Sequence, residues 1–235
     1  MTRPTAAGVE RHQHLAGPVR PGWVRVDLHS HTMYSGDSTT TPEELALAIE
    51  ETGIDVLCIT DHNAVKGAQR MVAELPCRVV VGEELRTHAG EIIGLFLTDH
   101  IPFGTPPGQA ARAIRDQGGL VYVPHPFDPM RRNLSEPALQ ALVGDGLVDA
   151  IEVFNAKTSL SSLNARAASF AAAHGLLAGA GSDAHVPAAL GAAYVEMPDF
   201  DGPTEFLRSL ESAVVVGHHS DPARPWTARI VPSTT

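Results

Sequence analysis

The sequence predicts an α/β barrel. Three observations carry this. From Trp23 onward, short β-branched runs alternate with helix-like segments; nearly every run ends on a residue able to bind a metal ion; and 235 residues suffice for one sizeable core. Alternation alone predicts a mainly parallel sheet and is shared by an open, doubly wound fold. The polar strand ends separate the two, because at one face of a barrel they converge on a single pocket, whereas an open sheet would scatter them along its edge. A hydrophobic content of 43% with 19% charged residues describes an ordinary globular core. The expected organisation is a flexible N-terminal arm over 1–22, without periodicity and carrying His12 and His14 in solvent, followed by a single domain over 23–235.

Strands are expected over 24–28, 56–60, 78–81, 92–97, 120–123, 150–154, 177–180, 194–197 and 214–216, each a short apolar run bounded by polar or turn residues. The first helix has Thr41 as N-cap, Pro42 at its first position, Glu44 completing a capping box and Gly53 after the last turn. Further helices are expected over 65–74, 107–117 ending at Gly118, 135–143, 161–174 ending at Gly175, and 204–212. The link 85–91 is too short for a helical crossover, which predicts a local irregularity in the barrel there.

Seventeen basic against twenty-seven acidic side chains give a net charge of −10. This argues against duplex nucleic acid or anionic lipid as a partner and favours a small ligand. No window approaches the apolar run of a membrane span, and residues 1–22 lack the pattern of an export signal, so a cytoplasmic location is expected. Cys58 and Cys77 lack a CxxC spacing and sit in apolar runs, which predicts buried reduced thiols. No GxGxxG or Walker-type loop indicates a nucleotide cofactor. Twelve histidines are about twice the usual number for this length, and their placement directs the functional reading.

Val26-Asp27-Leu28-His29-Ser30-His31 puts two imidazoles on the same side of a strand end, since side chains two apart share a face. An isolated HxH also occurs among surface histidines. Asp37 follows in Ser35-Gly36-Asp37-Ser38, where alone it reads as a turn residue. Ile59-Thr60-Asp61-His62-Asn63 ends an apolar strand with an acid and an imidazole, a poor place for uncompensated charge unless something binds there; a capped turn is the plain alternative. Val81-Gly82-Glu83-Glu84 sets two carboxylates side by side, of which strand alternation needs only one to face the pocket. Tyr122-Val123-Pro124-His125-Pro126 holds a histidine between prolines, and Gly181-Ser182-Asp183-Ala184-His185 ends another strand with a DxH pair. Each fragment has an innocent explanation; five of them, each after a strand, point to shared ions.

This ordered set resembles the polymerase-and-histidinol-phosphatase (PHP) family of metal-dependent phosphoesterases, over about residues 24 to 198. The resemblance implies a distorted seven-stranded (β/α) TIM-like barrel carrying two or three divalent ions, manganese, iron or zinc, at the C-terminal ends of its strands. It implies a first ion held by His29, His31, Glu84 and Asp183, with Glu84 bridging to a second ion that His125 also holds, and a third held by Asp37, His62 and His185. Many relatives begin the next strand with a histidine ligand, where this sequence has Glu91. A carboxylate there favours manganese or ferrous iron over zinc, and His88 is an alternative donor.

Three divalent ions outweigh the carboxylates of Asp37, Glu84, Glu91 and Asp183, so an acidic protein still presents a cationic pocket to phosphate. The expected chemistry is in-line attack on phosphorus by a metal-bridging hydroxide, the ions lowering the pKa of water towards about 7. Asp61 is expected to orient a ligand or shuttle a proton, with a supporting role beside His62 as the alternative; His185 or an ion-bound water protonates the leaving group. Arg131 or Arg132 offers a guanidinium fork for phosphate, a solvated pair being the alternative. Asn155 and Lys157 are candidate substrate contacts from the same face, and Arg86 is a further one. His174 reads as a helix-end residue, His218 and His219 as surface residues, the Ala-rich 165–173 as helix packing, and Asp27 as either a histidine-orienting or a buried hydrogen-bonding group. The expected function is hydrolysis of a small phosphomonoester, a nucleotide or a sugar phosphate. The alternatives are exonuclease action on an oligonucleotide, hydrolysis of a carbon ester or amide, and a non-catalytic interaction module.

Overall fold

The computed structural model describes residues 19–219, so His12 and His14, most of the arm expected over 1–22, and residues 220–235 lie outside the description. Among the described residues there are nine strands: β1 (Trp23–Ser30), β2 (Val56–Ile59), β3 (Arg78–Thr87), β4 (Gly90–Leu95), β5 (Leu120–Val123), β6 (Ala150–Asn155), β7 (Leu177–Gly181), β8 (Ala193–Pro198) and β9 (Val214–Gly217). They form one sheet in the order β7-β6-β5-β4-β3-β2-β1-β8-β9. The helices are α1 (Pro42–Thr52), α2 (Lys66–Met71), α3 (Pro107–Asp116), α4 (Glu136–Gly144), α5 (Ser161–His174) and α6 (Gly202–Leu210). Among the described residues no helix is long and apolar enough to cross a membrane.

The α1 signals act as the sequence indicates: the Thr41 hydroxyl accepts from the Glu44 amide, the Glu44 carboxylate accepts from the Thr41 amide, and Gly53 takes a left-handed φ of 66°. Two elements differ from expectation. α2 stops at Met71, because the chain before Pro76 turns out of the helix with Glu74 and Leu75 both donating to the Met71 carbonyl. β3 continues past Val81 to Thr87 and folds back on β4 through a two-residue turn at His88 and Ala89. Gly82-Glu83-Glu84 hides this continuation by breaking the apolar run. The sheet is therefore mixed rather than mainly parallel: β1–β2, β2–β3, β5–β6 and β6–β7 are parallel, whereas β3–β4, β4–β5, β1–β8 and β8–β9 are antiparallel.

Closure into a barrel occurs beyond β7, where the chain runs beside the end of β1. The Asp183 amide donates to the His29 carbonyl at 2.8 Å, and the His31 amide to the Ala184 carbonyl at 2.9 Å. Only glycine fits at position 181, since a Cβ there would lie 2.3 Å from the His29 Cβ and 2.6 Å from a Glu152 oxygen. Asp27, completely buried, braces the same seam by accepting from the amides of His29 (3.2 Å), Ser182 (2.9 Å) and Gly191 (3.3 Å). Of its two expected roles this is the buried hydrogen-bonding one, and burial pushes its pKa up to about 6. Leu28, Cys58, Ile93, Tyr122 and Ala180 belong to one apolar cluster, while α3, α4 and α5 pack a second against the sheet. Cys58 is buried and Cys77 half-buried, both as free thiols.

Candidate metal centre

The strand ends deliver their polar side chains to one cluster. The Nε2 atoms of His29 and His31 lie 3.1 Å apart, with a Glu84 oxygen at 3.4 and 3.3 Å and an Asp183 oxygen at 3.9 and 3.5 Å. His125 Nε2 is 2.8 Å from the other Glu84 oxygen and 3.8 Å from Glu91. On the far side His62 and His185 reach the same Asp37 oxygen, at 3.0 and 3.5 Å. Donor atoms lie within 4.8 Å of one another in four overlapping groups: His29, His31 and Asp183; His29, Glu84 and His125; His62, Glu84 and Glu91; and His31, Asp37, His62 and His185. Glu91 is thus within the cluster. His88, its suggested substitute, is exposed in the β3–β4 turn and belongs to none of these groups.

Backbone strain marks two of these positions. His125, between its prolines, and Asp183 adopt φ of 27° and 51°, a left-handed conformation that costs roughly 1–3 kcal/mol per non-glycine residue and persists where the surroundings hold it. Glu83 and Glu84 divide as strand alternation requires: Glu84 faces the cluster, and Glu83 turns away to His100 (2.7 Å) and the Ile101 amide (2.9 Å).

The donor set fits divalent cations. Donor separations of 3.1–3.9 Å around His29 and His31 are ordinary for neighbouring ligands whose bonds to one ion run about 2.0–2.2 Å. Asp37 Oδ1, His62 Nδ1 and His125 Nδ1 are buried without a hydrogen-bond partner, as expected of groups that await another ligand. Burial opposes the cationic form of His29, but the carboxylates of Glu152, Glu84 and Asp183 outweigh it and hold its pKa well above the ordinary value. Burial and the neighbouring Glu84 charge push Glu91 up to about 7. Burial, with His185 nearby, lowers His31 to about 3. Crowded carboxylates and imidazoles that disturb one another in this way are relieved by cations, which displace the protons.

The candidate substrate residues separate. Lys157 Nζ is 2.8 Å from His185 Nδ1 and 3.4 Å from Asp183; Arg131 lies 3.6 Å from Asp183 and donates to the Lys157 carbonyl at 3.2 Å. Arg86 sits across the cluster, 3.0 Å from Glu91 and 3.8 Å from Asp37. Arg132 instead exposes its side chain and contributes its carbonyl, which accepts from the Glu91 amide. Asn155 is completely buried, its amide donating to Glu152 and Asp183 and its oxygen accepting from the Lys157 amide. Asp61 accepts from the Thr32 amide (2.6 Å) through one oxygen and from the Thr32 hydroxyl (2.7 Å) through the other, pinning the loop after His31, the arrangement of the supporting role. His174 ends α5 before Gly175, and His218 and His219 are exposed.

Glu152 is the site residue that motif reading misses, although a lone carboxylate inside the run Ala150-Ile151-Glu152-Val153-Phe154 is a legible signal. Completely buried, it meets His29 Nδ1 at 3.1 Å and accepts from the His125 amide at 2.6 Å. It thereby holds the proton on Nδ1 and leaves the His29 Nε2 lone pair aimed at the cluster. In Glu152→Gln, an oxygen kept on the His125 amide turns the NH2 towards Nδ1 and favours the opposite tautomer. We expect the Kd for manganese to rise roughly 10–100-fold in chelator-competition titration, and an unchanged Kd would refute this role.

The PHP domain family matches residues 27–89 and the PHP-associated family residues 161–215. An uncharacterized protein of Methanocaldococcus jannaschii is 38% identical over 146 residues, 57% of this chain and 82% of that protein. Among solved structures, a two-domain protein containing a predicted PHP-like metal-dependent phosphoesterase from Bacteroides vulgatus superposes with a TM-score of 0.66 at 19% identity, covering 90% of this chain and 70% of that one. An amidohydrolase from Chromobacterium violaceum, with bound sulfate and no metal, gives 0.57 at 18% identity, covering 80% and 97%.

Proposed function

Because this chain belongs to the PHP family, we propose that it is a metal-dependent phosphoesterase whose substrate is a small phosphomonoester, a nucleotide or a sugar phosphate. The observation that carries this reading is the convergence of Arg131, Lys157 and Arg86 on the carboxylates of Asp183, Asp37 and Glu91, which belong to the cluster of donors. Cations added to a cation-binding cluster call for an anion with several oxygens, which a phosphate monoester supplies and a carbon ester does not. His29, His31, Glu84 and Asp183 would hold one ion, Glu84, His125 and Glu91 a second, and Asp37, His62 and His185 a third, with Glu91 favouring manganese or ferrous iron. Divalent ions there supply charge neutralisation on the phosphoryl oxygens and water acidic enough to attack near neutral pH.

The chain's own residues do the rest. Arg131 offers a planar fork to two phosphoryl oxygens, and Lys157 adds a point charge beside it. Glu152 and Asn155 hold His29 and Asp183 in place. Overall the bond from phosphorus to the ester oxygen breaks, the water oxygen bonds to phosphorus, and the water proton ends on the leaving alcohol; His185 is the candidate to relay it.

The test is manganese reconstitution followed by phosphate release from p-nitrophenyl phosphate, nucleoside monophosphates, sugar phosphates and an oligonucleotide, with p-nitrophenyl acetate as the carbon-ester comparison. Release from monoesters is expected; a preference for the acetate or the oligonucleotide overturns the reading. Within that assay Arg131→Ala is expected to raise KM about tenfold or more, the worth of a charged hydrogen bond at 1.5–3 kcal/mol, whereas Arg132→Ala has no comparable effect.

A further inference from the structure

Resting on the phosphoester reading and narrowing it, we infer that Met130 and Leu160 form an apolar ledge that receives the organic part of the substrate, so that phosphomonoesters with an aromatic or bulky apolar body, the base of a nucleotide among them, are preferred over sugar phosphates. Met130 is 78% exposed and Leu160 62%, high values for side chains of this size. They are not on loose, unrelated loops. The buried Asp128 accepts from the Met130 amide at 3.0 Å and the Ser159 hydroxyl at 2.8 Å through one oxygen, and from the Ser159 amide at 2.8 Å through the other. One carboxylate thus ties the segment after β5 to the segment after β6, with Met130 and the neighbour of Leu160 on the same anchor. The Arg131 bond to the Lys157 carbonyl is a second tie between the same segments.

Met130 adjoins Arg131 in sequence and Leu160 follows Lys157 by three residues, so the segments bearing the ledge lead directly from the cationic edge of the metal centre. Further exposed apolar side chains neighbour site residues in sequence: Met33 lies between His31 and Asp37, Val186 follows His185, and Phe103 precedes Gly104, whose amide donates to the Arg86 carbonyl at 2.9 Å. A phosphate gripped at the cluster must direct its alcohol across this ledge. A hydrocarbon ring would remove that apolar surface from water, whereas a polyol would leave its hydroxyls facing groups that offer no hydrogen bond.

The experiment compares kcat/KM of the manganese-loaded protein for 2-phenylethyl phosphate and ethyl phosphate, whose leaving alcohols have similar acidity, so that the bond-breaking step is matched. A preference of about tenfold or more for the phenylethyl ester is expected, and the ratio should fall towards one in the Met130→Ser/Leu160→Ser double variant. Circular dichroism and melting temperature verify that the variant is folded; because both side chains are largely exposed, no large change is expected. A ratio near one in the wild type, or an undiminished ratio in the folded variant, overturns the ledge while leaving phosphoester hydrolysis standing. Release of phosphate from neither ester, with release from the nucleotide and sugar phosphate panel intact, overturns the ledge alone; release from no monoester of either set overturns the phosphoester reading, and the ledge with it.

Discussion

Replacing Asp183 by asparagine, or His29 by alanine, is expected to lower phosphate release by about a thousandfold or more and to remove bound metal detectable by elemental analysis, with the fold retained. The magnitude follows from losing several kcal/mol of charge stabilisation at about 1.4 kcal/mol per factor of ten. Asparagine is the informative replacement at 183. It preserves volume, tolerates the left-handed φ of 51° found there, and removes only the charge that faces His29, His31, Lys157 and Arg131. In the wild type, burial raises the Asp183 pKa, but Lys157, His29 and Arg131 more than offset it and hold the carboxylate ionised. Wild-type turnover in both variants would sink the assignment of the first ion.

Gly181→Ala is expected to destabilise the protein by about 3 kcal/mol, at the upper end of what overpacking a core costs. For a domain of this size that corresponds to roughly 6–12 °C in Tm. The added methyl has no flexible neighbour to push aside: its contacts are the His29 Cβ and backbone nitrogen and a Glu152 oxygen that is itself bonded to His29. Relief requires moving β7 away from β1, which opens the barrel at the seam where His29 and Asp183 meet. Metal affinity should therefore fall along with Tm, although position 181 bears no ligand. Thermal melting with and without manganese checks both effects, and an unshifted Tm would show that the seam is softer than these distances imply.

Much of the fold was legible from local signals, because α1 is bounded by a capping box and a left-handed glycine and most strands are short apolar runs between turns. The extension of β3 was not, since Gly82, Glu83 and Glu84 look like the end of a strand when read alone. They continue it only because β4 supplies antiparallel partners for them.

The site divides along the same line. The sequence by itself determined which residue types end each strand, and period-2 geometry determined that His29 and His31 share a face. It could not choose between Glu83 and Glu84, or between Arg131 and Arg132, because each pair is equivalent within its own segment. Tertiary structure made those choices: His100 and Ile101 claim Glu83, and the turn after β5 brings Arg131 onto Asp183. Asn155 and Asp61 have their polar atoms engaged by neighbours, and Glu152 meets His29, for one physical reason. Whether a buried polar atom is available to a ligand depends on the donors and acceptors already saturating it, and these come from residues such as Thr32, His29 and Asp183, on segments that only folding brings together.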